Sequence, residues 1–258
     1  MKIDVSRAVD VGTSVLASTL MGWRGSFGSR TVEQPAQFLR LYDREGCASC
    51  RMVRQAVTEL NLDILVLPIP MGGDRFLPQL RELSGSDQVP YLVDPNTDTQ
   101  IGGSDQIVEY LFQHYANKPS PANLVATDSS LFRSRMATIV RGSRGLEVAP
   151  SKPAHKHLTL FSFESSPYSR LVRERLCELE LQYLLINIGK QQRADVGPAN
   201  FRLHLGSYKP LPNTKRSQFY AEHGNVQVPY LLDPNTGADL FESADILDYL
   251  NVTYGALD

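Results

Sequence analysis

Residues 88–111 read QVPYLVDPNTDTQIGGSDQIVEYL and residues 227–250 read QVPYLLDPNTGADLFESADILDYL; thirteen of the twenty-four positions are identical. So long a match at a fixed offset, here 139 residues, marks a duplicated unit. Upstream the offset shortens to 119: Leu41-Tyr42 pairs with Leu160-Phe161, Glu45 with Glu164, Arg51 with Arg170 and Val53 with Val172. The second copy therefore carries twenty extra residues before Val228-Pro229, expected within 189–225. A weaker match reaches further back, from Ala17, Gly22, Arg24 and Gly25 to Ala137, Gly142, Arg144 and Gly145. Each unit exceeds 100 residues, so the chain reads as a tandem duplication and not a solenoid.

The first unit shows its elements clearly. Phe38 to Tyr42 is a short apolar strand, followed by a turn over 43–48. Val53, Ala56, Val57 and Leu60 fall at i, i+3, i+4 and i+7, the face of an amphipathic helix over 50–60. Ile64 to Ile69 is aliphatic and ends at Pro70. A helix follows over 76–83, then a strand at 91–93, a turn at Asp94-Pro95-Asn96-Thr97, a strand ending near Ile101 and a helix over 104–115. The order is β-α-β-α-β-β-α. The second unit repeats it with strands at 158–161, 183–188 and 230–232 and helices at 169–179 and 243–254. Amphipathic helices over 5–21 and 129–140 lead the two units and suit packing between them or a dimer surface.

The full chain has 258 residues and a mass of 28.7 kDa, with 42% hydrophobic and 21% charged residues, which excludes a disordered or collagen-like chain. Its 26 basic and 28 acidic residues leave a net charge of −2, so whole-chain charge gives no reason to expect nucleic acid or an anionic membrane. The early apolar stretch, 9–23, is too short and too polar for a membrane span, and Asp4 and Asp10 interrupt a signal-peptide start. The cytoplasm is the expected compartment. Three cysteines exclude a disulfide scaffold, and in a reducing compartment the Cys47-Ala48-Ser49-Cys50 pair reads as redox-active or metal-binding.

Three features together resemble the thioredoxin superfamily, and more narrowly glutaredoxins and the N-terminal domain of glutathione transferases. They are the C-x-x-C opening the first helix, Val89-Pro90 with its twin Val228-Pro229, and Gly102-Gly103-Ser104-Asp105 with its twin Phe241-Glu242-Ser243-Ala244. The resemblance covers about 37–116 and 157–255. The arrangement is also similar to cyanobacterial and plastid proteins with two such domains. It implies an α/β chain of two tandem thioredoxin-like domains, each a four-stranded mixed sheet flanked by helices and each preceded by an extra helix. The divisions are 1–36 for the first helix and linker, 37–117 for the first domain, 118–156 for the second linker and helix, and 157–258 for the second domain.

Cys47 stands just before a helix, whose N-terminal N–H groups favour a thiolate. Arg44 and Arg51 push the same way and Glu45 opposes them. A Cys47 thiolate would attack a disulfide or a glutathionylated thiol, with Cys50 resolving the mixed disulfide. A zinc half-site needs two further ligands, and Cys177 is the one thiol left. An iron–sulfur cluster held between two chains is a minor alternative. Ala48-Ser49 replaces the Pro-Tyr common in glutaredoxins, so a tyrosine lining the glutathione site is missing. In the second unit the turn is Ser166-Pro167-Tyr168-Ser169. It keeps Pro-Tyr but has hydroxyls for both sulfurs, so thiol exchange is lost there. Ser166 either activates a bound glutathione thiol or belongs to a structural unit. The sequence ends at Asp258, directly after the last predicted helix, and binding or structure is preferred to transferase catalysis.

The resemblance implies a cis-proline after Val89 and Val228, with both valines pairing with the cysteinyl part of glutathione. Ser104 is expected as an N-cap. Gly103, Ser104 and Asp105 would take the ligand's carboxylate and amino group, as would Glu242 and Ser243 in the second unit. The expected function is a glutathione-linked thiol–disulfide oxidoreductase using Cys47 and Cys50, with glutathione as co-substrate and protein disulfides or glutathionylated proteins as partners. The alternative is a non-catalytic module that binds glutathione, an iron–sulfur cluster or a protein. No resident metal and no nucleic-acid partner are expected. Cys177 reads as a partly buried structural thiol. The basic and aromatic residues of 189–225, among them Phe201, Arg202, Tyr208 and Arg216, read as a covering loop.

Overall fold

Leu39–Asp43 (β1), Ile64–Pro68 (β2), Tyr91–Asp94 (β3) and Thr99–Gly102 (β4) build the first sheet of a computed structural model that describes residues 5–197, 202 and 207–256. β1 and β2 run parallel, Leu41 opposite Val66, because the helix Ala48–Glu59 (α2) carries the chain across between them. β3 returns antiparallel to β1, with Tyr42 opposite Tyr91, and β4 closes a hairpin with Tyr91 opposite Gly102. Leu77–Ser84 (α3) and Ser104–Ala116 (α4) complete the unit. Its twin consists of Leu158–Ser162 (β5), Pro167–Glu178 (α6), Tyr183–Asn187 (β6), Lys215–His223 (α7), Tyr230–Asp233 (β7), Ala238–Phe241 (β8) and Ser243–Tyr254 (α8). The leading helices are Val5–Leu20 (α1) and Asp128–Val140 (α5).

The hairpin sequence explains its own lock. Asp94 Oδ1 accepts from the Asn96 N–H at 2.8 Å, closing the turn. Its other oxygen accepts from the Tyr110 hydroxyl at 2.7 Å and from Tyr115, which ties the turn to α4. Asp233, Asn235, Tyr249 and Tyr254 repeat the arrangement in the second unit.

The two four-stranded sheets do not stay separate. β2 and β6 pair antiparallel, giving one sheet in the order β4-β3-β1-β2-β6-β5-β7-β8. Leu65 lies opposite Leu184, its own counterpart in the repeat, with Ile64 opposite Leu185 and Val66 opposite Tyr183. The join is therefore isologous: a pseudo-twofold axis passes between Leu65 and Leu184. One buried apolar cluster runs through both units, from Leu41, Val53 and Val66 to Leu160, Val172 and Leu185. Pairing the two edges also satisfies backbone groups that two free sheets would leave open.

The leading helices cross over. α1 packs on α6 of the second unit and α5 on α2 of the first, and α1 and α5 also pack on each other. Small residues allow this approach: Ser14, Ala17 and Ser18 are buried on α1, and Ser134, Ala137 and Thr138 on α5. Ser14 Oγ donates to the Pro167 carbonyl at 2.7 Å and Ser18 Oγ to the Ser165 carbonyl at 2.9 Å. In the other half Ser134 Oγ donates to Ala48 at 3.1 Å and Thr138 Oγ1 to Gly46 at 2.8 Å.

The stretch 189–225 narrows. α7 is the counterpart of α3, so the extra residues lie between β6 and α7, and Phe201 is outside the described residues. No helix among the described residues is long and apolar enough to cross a membrane.

Candidate functional site

β1 ends at Asp43, and the turn after it delivers Cys47 to the N-cap of α2 with extended backbone, φ −74° and ψ 133°. Its Sγ accepts from the Cys50 N–H at 3.5 Å and lies 3.2 Å from the Ser49 hydroxyl. Cys47 is half-buried, whereas Cys50 is fully buried. The Cys50 thiol bonding to Cys47 lowers the Cys47 pKa most. Burial opposes it, the Ser49 hydroxyl and the backbone N–H groups add to it, and the result is about 5. Cys50 is pushed the other way, well above the ordinary thiol range, by burial first and then by its bond to Cys47. The two sulfurs therefore differ in kind: Cys47 is half-buried with a lowered pKa, and Cys50 is buried with a raised one.

The two arginines expected to lower Cys47 are engaged elsewhere. Arg51 turns away and donates to the Ser134 carbonyl at 2.6 Å and to its hydroxyl at 2.9 Å, both on α5. Arg44 Nε donates to the Ile69 carbonyl at 2.7 Å. Glu45, expected to oppose them, is held by Arg173 of the second unit at 3.1 Å. Under the pair lies Asp43, its pKa raised to about 6 by burial although the Arg54 guanidinium, 2.7 Å away, pulls it down.

Sheet register brings the remaining candidates to the same end of the first unit. Tyr42 opposite Tyr91 sets Val89-Pro90 beside the turn that follows β1, and Tyr91 opposite Gly102 sets Gly103 and Ser104 next to it. Val89-Pro90 and Val228-Pro229 are both cis. Ser104 is not the N-cap. Gly103 occupies that position with φ 89°, and Ser104 is the first, buried residue of α4. Asp105 is exposed and accepts from the Ala126 N–H at 2.7 Å, which ties down the linker.

Cys177 is fully buried, not partly. Its sulfur accepts from the Glu45 N–H at 3.4 Å and donates to the Gly145 carbonyl at 3.4 Å. At the twin position the Thr58 hydroxyl accepts from the Glu164 N–H at 3.2 Å, so the thiol substitutes for a hydroxyl in the framework. Among the described residues no group of three His, Cys, Asp or Glu is placed to hold a metal ion.

In the second unit Ser166 caps α6, its Oγ accepting from the Ser169 N–H at 3.3 Å, and only 2% of it is exposed. Ser166, Val228, Pro229 and Glu242 do converge, on a cavity of about 640 Å³. Ser243 instead faces a polar cleft between α1, α6 and α8. Glu242 is the N-cap of α8 with φ 65° and accepts from Gln227 at 2.5 Å. The same cavity is lined by residues the motifs did not single out: Trp23 and Phe27 from the segment after α1, and Phe163 and Lys190. A comparison of repeat positions would have shown them, since Ser143, Glu147 and Met71 are the counterparts of Trp23, Phe27 and Lys190.

The two turns are braced against each other across the pseudo-twofold axis. Arg54 of α2 contacts Glu164 at 3.1 Å, in the turn before Ser166; Arg173 of α6 contacts Glu45 at 3.1 Å, in the turn before Cys47. Arg54 to Glu45 is 3.2 Å and Arg173 to Glu164 is 3.1 Å, so four buried charges form a closed ring.

The family model for the glutathione S-transferase N-terminal domain matches two segments of the chain, 41–119 and 160–256. No curated protein matches the sequence. Among solved structures, Leishmania TDR1, a trimeric glutathione transferase, is similar at 13% identity over 84% of this chain and 69% of that chain, with a TM-score of 0.27. The matched segments cover more than half of the sequence and coincide with the two sheet-and-helix units, so the chain belongs to the family of glutathione S-transferase N-terminal domains and carries that domain twice.

Proposed function

We propose that the protein is a glutathione-linked thiol–disulfide oxidoreductase working at Cys47, with the second unit inactive in thiol exchange. One observation carries the reading: a half-buried Cys47 sulfur at a helix N-cap, with its pKa lowered to about 5, beside a Cys50 thiol buried and raised. At neutral pH such a sulfur is a thiolate, the attacking species in disulfide exchange. The thiolate attacks the glutathione sulfur of a glutathionylated protein; the protein thiolate leaves, and Cys47 is held in a mixed disulfide. A second glutathione thiolate then releases Cys47 and forms glutathione disulfide. In the alternative branch the Cys50 thiol loses its proton and attacks the Cys47 sulfur, forming the Cys47–Cys50 disulfide and expelling glutathione. The cis Val89-Pro90 and the α4 N-terminus beside the turn suit an extended tripeptide with a terminal carboxylate.

Reduction of a glutathionylated peptide by glutathione, followed for wild type and Cys47→Ser, tests this directly. Turnover is expected in the wild type and should be lost in Cys47→Ser. Equal rates in the two proteins would sink the reading.

A further inference from the structure

Cys47 opens a helix of the first unit, but the helix that grips its turn leads the second. Ser134 and Thr138 stand one turn apart on α5, and both are buried. The Ser134 hydroxyl donates to the Ala48 carbonyl at 3.1 Å, and the Thr138 hydroxyl to the Gly46 carbonyl at 2.8 Å. The Ala48 carbonyl belongs to the same peptide group as the Ser49 N–H, one of the backbone donors on the Cys47 sulfur. A peptide whose carbonyl is hydrogen-bonded becomes a stronger donor at its N–H.

A buried charge stands at the far end of this chain. Arg51 Nη1 lies 2.9 Å from the Ser134 hydroxyl oxygen, and Nη2 donates to the Thr138 hydroxyl at 3.2 Å. Among the described residues the one carboxylate within 4 Å of Arg51 is Glu164, at 3.8 Å, and the Arg51 side chain is only 3% exposed. A desolvated guanidinium so placed polarises the hydroxyls bonded to it. The order is therefore guanidinium to hydroxyl, hydroxyl to carbonyl, and the N–H of that peptide to sulfur.

The second unit separates this relay from the mere docking of the leading helices. There the Ser14 hydroxyl donates to the Pro167 carbonyl at 2.7 Å and the Ser18 hydroxyl to the Ser165 carbonyl at 2.9 Å, so the grip on the turn is repeated. The cation at its end is not. Arg170, the twin of Arg51, donates to the Ser14 carbonyl at 2.8 Å and, among the described residues, to neither hydroxyl. The half that keeps its sulfurs is the half whose guanidinium bears on both hydroxyls.

We propose that Ser134, which lies outside both matched domain segments, is a positioning residue for Cys47, relaying the buried Arg51 charge to the sulfur through the Ala48–Ser49 peptide. The linker helix of the second unit thereby acts on the chemistry of the first. The use made of the tuned sulfur rests on the redox reading; the relay itself does not require turnover.

Ultraviolet thiolate absorbance against pH is recorded on the full-length wild type, Ser134→Ala, Ser14→Ala and Cys47→Ser, with urea unfolding of each. Cys47→Ser identifies the step that belongs to Cys47. Ser134→Ala breaks the relay while Arg51 keeps the Ser134 carbonyl at 2.6 Å, and alanine suits a helix interior, so the variant is expected to fold. Its Cys47 midpoint should rise by about half a pH unit or more, because a weakened donor stabilises the thiolate less. Ser14→Ala removes the equivalent grip from the other half and should leave the midpoint unchanged, whatever it costs in stability. In an Arg51→Met background, Ser134→Ala should shift the midpoint by less, since both residues act along one chain. An unchanged midpoint in Ser134→Ala, an equal rise in Ser14→Ala, or an undiminished shift in the Arg51→Met background would each overturn the proposal. Reduction of a glutathionylated peptide is followed separately: no turnover in the wild type, with the Ser134→Ala shift intact, overturns the redox reading and upholds the relay.

Discussion

Arg54 Nε in the first unit lies 3.1 Å from a carboxylate oxygen of Glu164 in the second, and both side chains are almost completely buried. Together with Arg173 and Glu45 they form a ring in which each unit neutralises the other's charge next to the turn before its first helix. A buried ion pair gains little over an apolar one, but removing one member strands the rest without water. Arg173→Met should therefore cost roughly 3–5 kcal/mol. At the exposed Arg7–Asp248 pair, Arg7→Met should move stability by no more than about 0.5 kcal/mol. Urea unfolding of both variants decides the matter; equal losses would show that the ring is not the stronger feature.

Acid should unfold the protein through the same ring. Burial works against the Glu164 charge, but the guanidinium groups of Arg173, Arg54, Arg170 and Arg51 outweigh it and bring its pKa down to about 2 from 4.5. A carboxyl with a depressed folded pKa binds fewer protons when folded. Its contribution is whole above pH 4.5 and is lost as pH falls toward 2. Stability measured across this window should fall less steeply in Glu164→Gln than in wild type. Parallel slopes would refute the assignment. Asp43 acts in the opposite sense: raised to about 6 by burial, it destabilises when ionised and is relieved as pH drops from about 6 toward 3.8.

Because the Cys50 thiol is the largest influence on Cys47, Cys50→Ala should raise the Cys47 pKa above about 5, and Cys50→Ser, which keeps a donor, should raise it less. Ultraviolet thiolate absorbance against pH gives the midpoint directly. Cys177 will not interfere, since burial holds its thiol far above the range of the titration. An unchanged midpoint in Cys50→Ala would assign the thiolate to the backbone N–H groups instead.

Two glycines should respond to alanine with opposite signs. Gly145 has φ +72°, and a Cβ there would come within 2.9 Å of the Glu45 Cβ, so Gly145→Ala should destabilise by at least about 1–2 kcal/mol. Gly12 lies inside α1 with nothing within 4 Å of a Cβ, and Gly12→Ala should stabilise by about 0.5–1 kcal/mol. Thermal unfolding of the pair is the check; a loss at Gly12 as large as that at Gly145 would contradict it.

Much of the fold was legible because the repeat is local in its signals. The Asp-Pro-Asn-Thr turn, the alternation of apolar strands and the i, i+3, i+4 face of α2 are short-range patterns, and the elements given a range from them fall within a few residues of it, whereas α7 and β8 of the second unit were given none. Ser104 was misplaced because a helix can open with glycine at positive φ as its cap, a backbone conformation that a search for a capping side chain passes over. The Arg44 and Arg51 misreading has another cause. Nearness to Cys47 in sequence says nothing about which neighbour a long side chain reaches, and Arg51 found the Ser134 carbonyl and hydroxyl on α5, more than eighty residues away.

The sequence by itself determined that the chain is one unit written twice, that each unit has the β-α-β-α-β-β-α order, and that a sulfur pair survives in the first copy alone. It did so because strands, helix faces and turns are fixed by residues near one another. Only the tertiary structure decided that β2 and β6 join the two sheets through Leu65 and Leu184, that each leading helix crosses to the other unit, and that Lys190 and Trp23 meet at one cavity. Those outcomes depend on which buried edges and charges satisfy each other across more than a hundred residues. A strand, a helix face or a lysine carries no local mark of the partner it will find.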